Sequence, residues 1–193
     1  MLFLISFSYY ACALKPFKQE LCWAIWHPFA ALKVKKIKAK ADLIYAQPGI
    51  KDQLDNLSSG GKLDAFRHVF YMAAFAQKIK IKKLRKLGIA HEKGNYRQFL
   101  KHQNENGELP DSLSSVMDLY NNDVGLNIGS SVAYKGMNLE KLKELVIWKI
   151  KSGNATILKR NKQGLYVECD DKIIDLSLYK GKWFVPKCLV PSN

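Results

Sequence analysis

The fold is decided by three short motifs, which read GGKLDAFRH (residues 60–68), AHEKGN (90–95) and MDLYNNDVG (117–125). Each motif places polar side chains inside an otherwise apolar helical pattern. A polar side chain on the buried face of a helix costs free energy unless it finds a hydrogen-bonding partner. We therefore expect the three motifs to meet in one polar cluster inside a helical bundle.

The first motif opens a helix that we expect over residues 63–78, at the centre of the bundle. Its apolar side chains cover most of its circumference, which is typical of a helix surrounded by others. Asp64 sits at the helix start, where a carboxylate caps free backbone amides. Asp64 and His68 are four residues apart and share one face. Three roles are open for this pair. The two residues form a buried structural pair, they bind a metal, or the carboxylate orients the imidazole for proton transfer.

The second motif ends a helix predicted over residues 79–90, because a glycine and an asparagine follow at 94 and 95 as a stop signal. Residues 95–115 are then expected to form a solvent-exposed loop. Adjacent residues on a helix point about 100° apart. Of His91 and Glu92, one can therefore face the core while the other lies at its edge.

The third motif belongs to a helix expected over residues 113–130. A single stripe along it contains Asp118, Asn121, Asn122 and Gly125, which are spaced i, i+3, i+4 and i+7. Asp and Asn have low helix propensity, so this stripe indicates a specific use. Asparagine both donates and accepts hydrogen bonds and can therefore hold a substrate.

Together the motifs contain the ligands of a divalent-metal site. The metal ligands that we expect are Asp64, His68, His91 and Asp118. Imidazole nitrogens and carboxylate oxygens are ligands that such ions accept in proteins, but the spacing does not identify the ion. The same groups are equally the inventory of a metal-free acid–base site.

The catalytic residues that we expect are Arg67, His68, Glu92, Asn121 and Asn122. The histidine and the glutamate would serve as ligands or bases, the asparagines would position a substrate, and the arginine would meet an anion. These groups favour a metal-assisted hydrolase that acts on a phosphoester or another polar ester. The alternative is a non-enzymatic envelope or interaction protein in which the polar cluster fixes helix register.

The motifs resemble those of an uncharacterised bacterial family, a domain of unknown function. Its members share Ala-Phe-Arg-His, His-Glu and Met-Asp-Leu-x-Asn-Asn-x-x-Gly in this order, which matches residues 65–68, 91–92 and 117–125. The resemblance implies no established activity, and it hints at an extracytoplasmic role. The family often has a basic residue soon after the last glycine, where this chain has Leu126. The order of histidines and acids is also similar to that of metal-dependent phosphohydrolases of the His-Asp type, with shorter gaps.

The chain is strongly basic. Its 193 residues include 31 Lys and Arg against 17 Asp and Glu, a formal net charge of +14 at pH 7. Nearly all of these cations are lysines, which are typical of solvated helix faces, so we do not expect nucleic-acid binding. Contact with an anionic membrane surface is compatible with the charge. A basic amphipathic helix expected over residues 29–46 would serve that contact or form an outer helix of the bundle.

The two ends of the chain bear on its location. Residues 1–17 are an apolar segment too short to span a bilayer, similar to the core of a signal or lipoprotein segment. The usual preceding basic residue is missing, which slightly favours a cytoplasmic location over an extracytoplasmic or membrane-associated one. Cys169 and Cys188 form a disulfide if the protein is exported and stay reduced otherwise.

We expect a mainly α protein, in which a helical bundle carries a small C-terminal antiparallel β meander, α+β overall. The domains that the sequence indicates are the apolar segment (1–17), N-terminal helices (18–59), a helical core with the polar site (60–152) and the meander (153–193). The strands of the meander are predicted at 157–158, 165–169, 172–176 and 182–185.

Overall fold

The computed structural model describes residues 19–103 and 108–193. In these ranges the chain forms seven α-helices, two short 3-10 helices and one two-stranded antiparallel sheet. The helices are α1 (Gln19–Trp26), α2 (Pro28–Tyr45), α3 (Ile50–Gln53), α4 (Lys62–Ala76), α5 (Ile81–Leu100), α6 (Ser112–Ser130) and α7 (Leu139–Lys151). The 3-10 helices are Val132–Tyr134 and Leu176–Tyr179, and the strands are β1 (Thr156–Leu158) and β2 (Leu189–Pro191). The expected fold, mainly α with a small β part, is confirmed.

The helix α4 lies at the centre of the bundle, as its apolar circumference predicts. Its side chains Phe66, Val69 and Phe70 are fully buried, and it packs against α2, α6 and α7. The helix α6 approaches closely, because a Cβ at Gly125 or Gly129 would collide with main-chain carbonyl groups of α4. Two helices that carry polar motifs therefore lie backbone against backbone.

The turn before α4 sets the direction of the first motif. Asp55 accepts hydrogen bonds from the amides of Lys62 and Leu63, at 2.5 and 3.1 Å. The helix cap expected of Asp64 is thus supplied by Asp55. Asp64 instead accepts a hydrogen bond from the amide of Gly60 at 2.8 Å. Gly60 has a φ of 70°, a conformation that glycine adopts without steric cost.

The N-terminal helices cover one side of the bundle. His27 separates α1 from α2, which begins at Pro28. The helix α1 docks on α5, where Trp23 Nε1 donates a hydrogen bond to the carbonyl of Lys83 at 2.8 Å. The helix α2 buries Ala30 and Ala41 and leaves a lysine-rich side in solvent.

The helix α5 continues past the expected stop to Leu100, so the prediction of a loop from residue 95 is wrong for the first part of that segment. Asn95 is buried and donates a hydrogen bond within the helix. Phe99 is buried against Trp183, with ring centroids 5.1 Å apart. Tertiary packing therefore outweighs the weak helix propensity of the glycine and the asparagine.

The C-terminal segment is less regular than the predicted meander. The strands β1 and β2 pair antiparallel, with Thr156 opposite Pro191. The strands predicted at 165–169 and 172–176 contribute only isolated bridges, and residues 182–185 are not a strand. The first and last parts of the segment therefore pair with each other instead of forming consecutive hairpins.

Disulfide bonding closes this segment. Cys169 is joined to Cys188, so the structure has the oxidised alternative of the two that the sequence allowed. Cys22 in α1 is also disulfide-bonded. Cys188 immediately precedes β2, so the disulfide restrains the irregular segment that connects β1 to β2.

The strand β1 is tied to the bundle at two points. The amide of Leu158 donates to the carbonyl of Gly60 at 2.8 Å, just before α4. On α6, Asn121 exchanges two hydrogen bonds with the backbone of Thr156, both 2.9 Å long. The C-terminal segment therefore braces both helices that meet at the centre.

Two predicted segments lie outside the described residues. These are the apolar segment at 1–17, with its signal or lipoprotein interpretation, and residues 104–107 of the loop before α6. Among the helices of the described ranges, none combines the length and the hydropathy needed to cross a membrane.

Candidate functional site

Two neighbouring helices bring five polar side chains together. They are Asp64, Arg67 and His68 from α4 and Asp118 and Asn122 from α6. Spacings of three and four residues place each set on one side of its helix, and the glycines of α6 bring the two sides close. Apart from the arginine, these side chains belong to residues only 4% to 7% exposed.

The ligand atoms of Asp64, His68 and Asp118, called the triad below, converge. His68 Nε2 lies 3.2 Å from Asp118 Oδ1 and 3.6 Å from Asp64 Oδ1. One ligand atom from each of the three lies within 4.8 Å of the others. Metal–ligand bonds of about 2.0–2.2 Å place neighbouring ligand atoms about 3.0–3.5 Å apart. The triad therefore has the spacing of one side of a coordination shell.

Hydrogen bonding orients the ring of His68. Its Nδ1 lies 3.2 Å from Asn122 Oδ1, an acceptor, which assigns the ring proton to Nδ1. The lone pair of Nε2 then faces the two carboxyl groups. Burial lowers the pKa of His68 well below its ordinary value, and the charge of Arg67 lowers it further. The ring is therefore neutral at pH 7, the form in which imidazole binds metals.

Arg67 places a positive charge beside the triad. Its Nη2 is 2.6 Å from Asp64 Oδ1 and 3.2 Å from His68 Nε2. The amide of Gly60 donates to the other oxygen of Asp64, so Oδ1 is the oxygen of Asp64 that faces His68. Two carboxyl groups and an imidazole lone pair attract a cation, and both a guanidinium and a divalent metal ion meet that requirement.

His91, which we expected as a metal ligand, stands apart from the triad. Its ring centroid is 6.4 Å from that of His68. Its Nδ1 makes a 2.6 Å hydrogen bond with Glu20 Oε1 of α1. Glu92, the expected catalytic acid, is buried and accepts a hydrogen bond from Asn95. Among the described residues, the ligand atoms close enough to share one ion come from Asp64, His68 and Asp118. Neither His91 nor Glu92 belongs to this group.

The two neighbouring asparagines of α6 have different roles. Asn121 is fully buried, and its amide oxygen and nitrogen both bond to the backbone of Thr156. It therefore holds β1, and it does not face the triad. Asn122 contacts His68 and also lines a cavity at the site. The sequence could not separate them, because only the neighbours in space distinguish the two positions.

The site opens into a cavity of about 400 Å³. Apolar wall is supplied by Val34, Met72 and Leu87. Lys38 and Arg67 give the cavity a cationic side. Such a cavity suits a ligand that has an anionic or strongly polar group beside an apolar part.

Two charged residues of this cavity, Glu20 and Lys38, were not predicted from the sequence. Glu20 lies 71 residues before His91, and no spacing rule connects them. Lys38 was counted among the solvated lysines, although Asp42 follows it at i+4 and binds its ammonium group at 2.8 Å. The i, i+4 pair is a signal that could have found Lys38.

Comparison with known proteins gives one match. The model of a family described as "Domain of unknown function (DUF6973)" matches residues 21–154, a wider range than the three motifs cover. The matched residues include the triad, His91 and most of the cavity wall, and they end just before β1. The curated proteins contain no match to the chain, and neither do the solved structures.

Proposed function

The chain belongs to the DUF6973 family, and we propose that it is a metal-assisted hydrolase that acts on a phosphoester or another polar ester. The observation that carries this proposal is the convergence of one ligand atom each from Asp64, His68 and Asp118 within 4.8 Å. The triad would hold a divalent metal ion, because one imidazole and two carboxylates form a mixed nitrogen and oxygen ligand set.

The surroundings of the triad support metal binding. Asn122 fixes the ring of His68 with its lone pair on the triad, as outer ligands do in metal sites. The amide of Gly60 fixes Asp64 in the same way. A bound divalent ion would acidify a water molecule and stabilise charge on the leaving oxygen.

The cavity supplies groups for the rest of the reaction. His91, held at Nδ1 by Glu20, accepts a proton at Nε2 from the attacking water and returns it to the leaving oxygen. The hydroxide adds to phosphorus or carbon as the ester bond breaks, so the products are an acid and an alcohol. Arg67 and Lys38 bind the negative charge of the substrate.

Metal analysis tests the proposal. Purified protein is loaded with Mg²⁺, Mn²⁺ or Zn²⁺, dialysed and analysed by elemental mass spectrometry. We expect one ion per chain, lost in Asp118→Asn and in His68→Ala. Asp123→Asn on the same helix is the matched control, since Asp123 pairs with Arg85 at the surface.

Activity is measured in parallel with bis(p-nitrophenyl) phosphate and p-nitrophenyl acetate. The metal-loaded protein should release p-nitrophenol, and His91→Gln should bind metal normally but turn over at least about 100-fold more slowly, because general-base catalysis is lost. Absence of bound metal under replete conditions, together with no turnover of either ester, would refute the proposal.

The second candidate function is a non-enzymatic interaction protein. It is favoured by the 2.6 Å contact between Arg67 and Asp64, which compensates the buried charge without a metal. In that case Arg67→Met should lower the melting temperature strongly and EDTA should not change it. A metal-binding enzyme shows the opposite dependence on EDTA.

We also propose that the protein is bacterial and exported. The motif order that it shares with a bacterial family and the disulfide between Cys169 and Cys188 support this. Expression of the full chain in a bacterial host, followed by cell fractionation and mass spectrometry, should find the protein outside the cytoplasm with Cys169 and Cys188 joined. Recovery from the cytoplasm with both thiols reduced would contradict export.

A further inference from the structure

One side of α2 presents large apolar side chains and lysines to solvent. We call it the basic–apolar face, and it consists of Phe29, Leu32, Lys33, Lys36, Lys40 and Leu43. These positions fall at intervals of three, four, seven, eleven and fourteen residues from the first, so they project on the same side of the helix. Phe29 is 80% exposed, Leu32 66% and Leu43 73%. Single exposed apolar residues are ordinary, but three on one helix face interleaved with cations form a patch.

The turn before α5 and the first turn of α5 extend the positive charge of this face. Phe29 and Lys33 share a shallow cavity of about 230 Å³ with Lys78, Lys80 and Lys83. Four lysines therefore surround an exposed phenyl ring, and no acidic side chain is among the described residues that line the cavity. This arrangement suits a phosphate group whose attached chain is apolar.

The positive charge of the lysines in α5 also affects the pKa of His27, which precedes α2. Partial burial lowers the pKa of His27, and the ammonium groups of Lys83 and Lys86 lower it further. The N-terminal end of α2 therefore lies in a positive potential that comes from a different helix. Several elements together, and not a single run of lysines, produce the basic surface.

We infer that the basic–apolar face docks on an anionic phospholipid bilayer. In this arrangement Phe29, Leu32 and Leu43 enter the boundary between headgroups and acyl chains, and the lysines bind lipid phosphates. A helix with apolar side chains on one face and lysines around them lies in the plane of the membrane interface. Lysine stems extend along the apolar surface while their charges stay in water.

Lipid fits this face better than nucleic acid does. Recognition of a phosphate backbone relies on cations and is served well by the forked guanidinium of arginine. The cations of the basic–apolar face are all lysines, and its exposed phenylalanine and leucines have no role on a phosphate backbone. The apolar side chains are explained by a partner that has an apolar interior.

Docking does not depend on the proposed hydrolysis. Val34 and Lys38, on another side of α2, line the cavity of the site. The helix that meets the bilayer is therefore also a wall of that cavity. Esters at the membrane surface would lie near the site, but binding can be measured without turnover.

Vesicle sedimentation of the full chain tests the inference. Vesicles of phosphatidylcholine with phosphatidylglycerol are compared with vesicles of phosphatidylcholine alone. We expect binding to the anionic vesicles only, weakened by added salt. Lys33→Gln/Lys36→Gln should bind about fivefold more weakly for each lysine removed. Phe29→Ala/Leu32→Ala should bind at least about tenfold more weakly.

Matched controls lie on other surfaces. Lys162→Gln/Lys172→Gln removes the same charge from an exposed part of the C-terminal segment. Val132→Ala/Leu178→Ala removes apolar side chains that are 89% and 65% exposed. All four double variants change exposed residues, and circular dichroism should show the same helix content for each. Turnover of a soluble ester by Phe29→Ala/Leu32→Ala should equal that of the unmodified chain.

Several outcomes would overturn the inference. Equal binding of the Phe29→Ala/Leu32→Ala variant and the unmodified chain would assign membrane contact to another part of the protein. Equal losses in the control variants would show a general charge effect. Full displacement by inorganic phosphate at matched ionic strength would indicate a site for free phosphate. Retention of RNA, with no binding to either vesicle, would make the face a nucleic-acid surface.

Discussion

At the residue scale, Asn122 decides how His68 meets its neighbours. Its amide oxygen lies 3.2 Å from His68 Nδ1 and holds the proton on that nitrogen. A side chain without an acceptor would leave the ring free to turn or to change tautomer. The lone pair of Nε2 would then no longer be fixed on Asp64 and Asp118.

We therefore expect Asn122→Leu to weaken metal binding about 10- to 100-fold, the usual effect of removing an outer partner of a ligand. Titration calorimetry with Mn²⁺ or Zn²⁺ measures the affinity. Asn127→Leu on the exposed side of α6 is the control and should leave the affinity unchanged. Equal affinities for all three proteins would show that Asn122 has no influence on the ligand.

Tyr71 makes the stability of the folded protein depend on pH in the alkaline range. Its hydroxyl donates a 2.6 Å hydrogen bond to Asp42. Burial, and then this hydrogen bond, raise the pKa of Tyr71 above its ordinary value of 10.0. Because the folded state favours the neutral phenol, the stabilisation is fully present below about pH 10 and is lost as the pH rises from there towards the raised pKa.

Tyr71→Phe should therefore lose less stability than the unmodified chain when the pH rises above about 10. Urea unfolding at a series of alkaline pH values gives the free energy of unfolding for both. Tyr120→Phe, at a tyrosine that is 54% exposed, is the control. Parallel curves for Tyr71→Phe and the unmodified chain would contradict the expected contribution.

Part of the site could be predicted at this scale. The i, i+4 spacing placed Asp64 and His68 on one face, and the low helix propensity of the Asp and Asn stripe indicated that Asp118 has a special use. The pairing of His91 with Glu20 could not be predicted, because it depends on how α1 docks on α5. Helix-start capping by Asp55 also depends on the path of the chain before α4.

At the element scale, the close approach of α4 and α6 decides whether the site forms. Gly125 lies against the main chain at Val69, and Gly129 lies against the main chain at Ala73. Any side chain at these positions would push the helices apart. Gly125 ends the polar stripe of α6, and its lack of a side chain permits this approach.

Gly125→Ala should destabilise the protein by about 1 to 3 kcal/mol, because the added methyl group overpacks a rigid contact. Gly94→Ala is the matched control in α5, where an added Cβ meets open space. It should stabilise the protein by about 0.5 to 1 kcal/mol through helix propensity. Urea unfolding measures both, and destabilisation of equal size would show that the helix contact has no special role.

The limits of the elements show why local patterns succeed or fail. The predictions for α4 and α6 agree with the structure within two residues, since apolar periodicity and breakers coincide there. The end of α5 was missed because Phe99 packs on Trp183, a distant residue. In the C-terminal segment, the two ends pair with each other instead of forming the expected hairpins. The alternation of apolar residues predicts that a strand forms but does not identify the strand with which it pairs.

At the scale of the whole molecule, the C-terminal segment depends on covalent closure. It has little regular secondary structure, and the bond between Cys169 and Cys188 spans a sequence separation of 19. Cross-linking removes conformational freedom from the unfolded chain, by an amount worth about 3 kcal/mol for a loop of this size.

Cys169→Ser/Cys188→Ser should therefore lower the free energy of unfolding by about 2 to 4 kcal/mol. Far-ultraviolet circular dichroism should still show the helices at low temperature, because the bundle has its own core. Urea unfolding gives the loss. An unchanged midpoint would show that the bundle alone sets the stability.

The bracing of the bundle by β1 has a consequence for where the domain ends. The family match stops at residue 154, two residues before the strand whose backbone bonds to Gly60 and Asn121. A fragment trimmed to that boundary would keep all members of the triad yet lose the clamp that steadies the turn behind Asp64. The structural unit that supports the triad is therefore longer than the stretch by which the family is recognised.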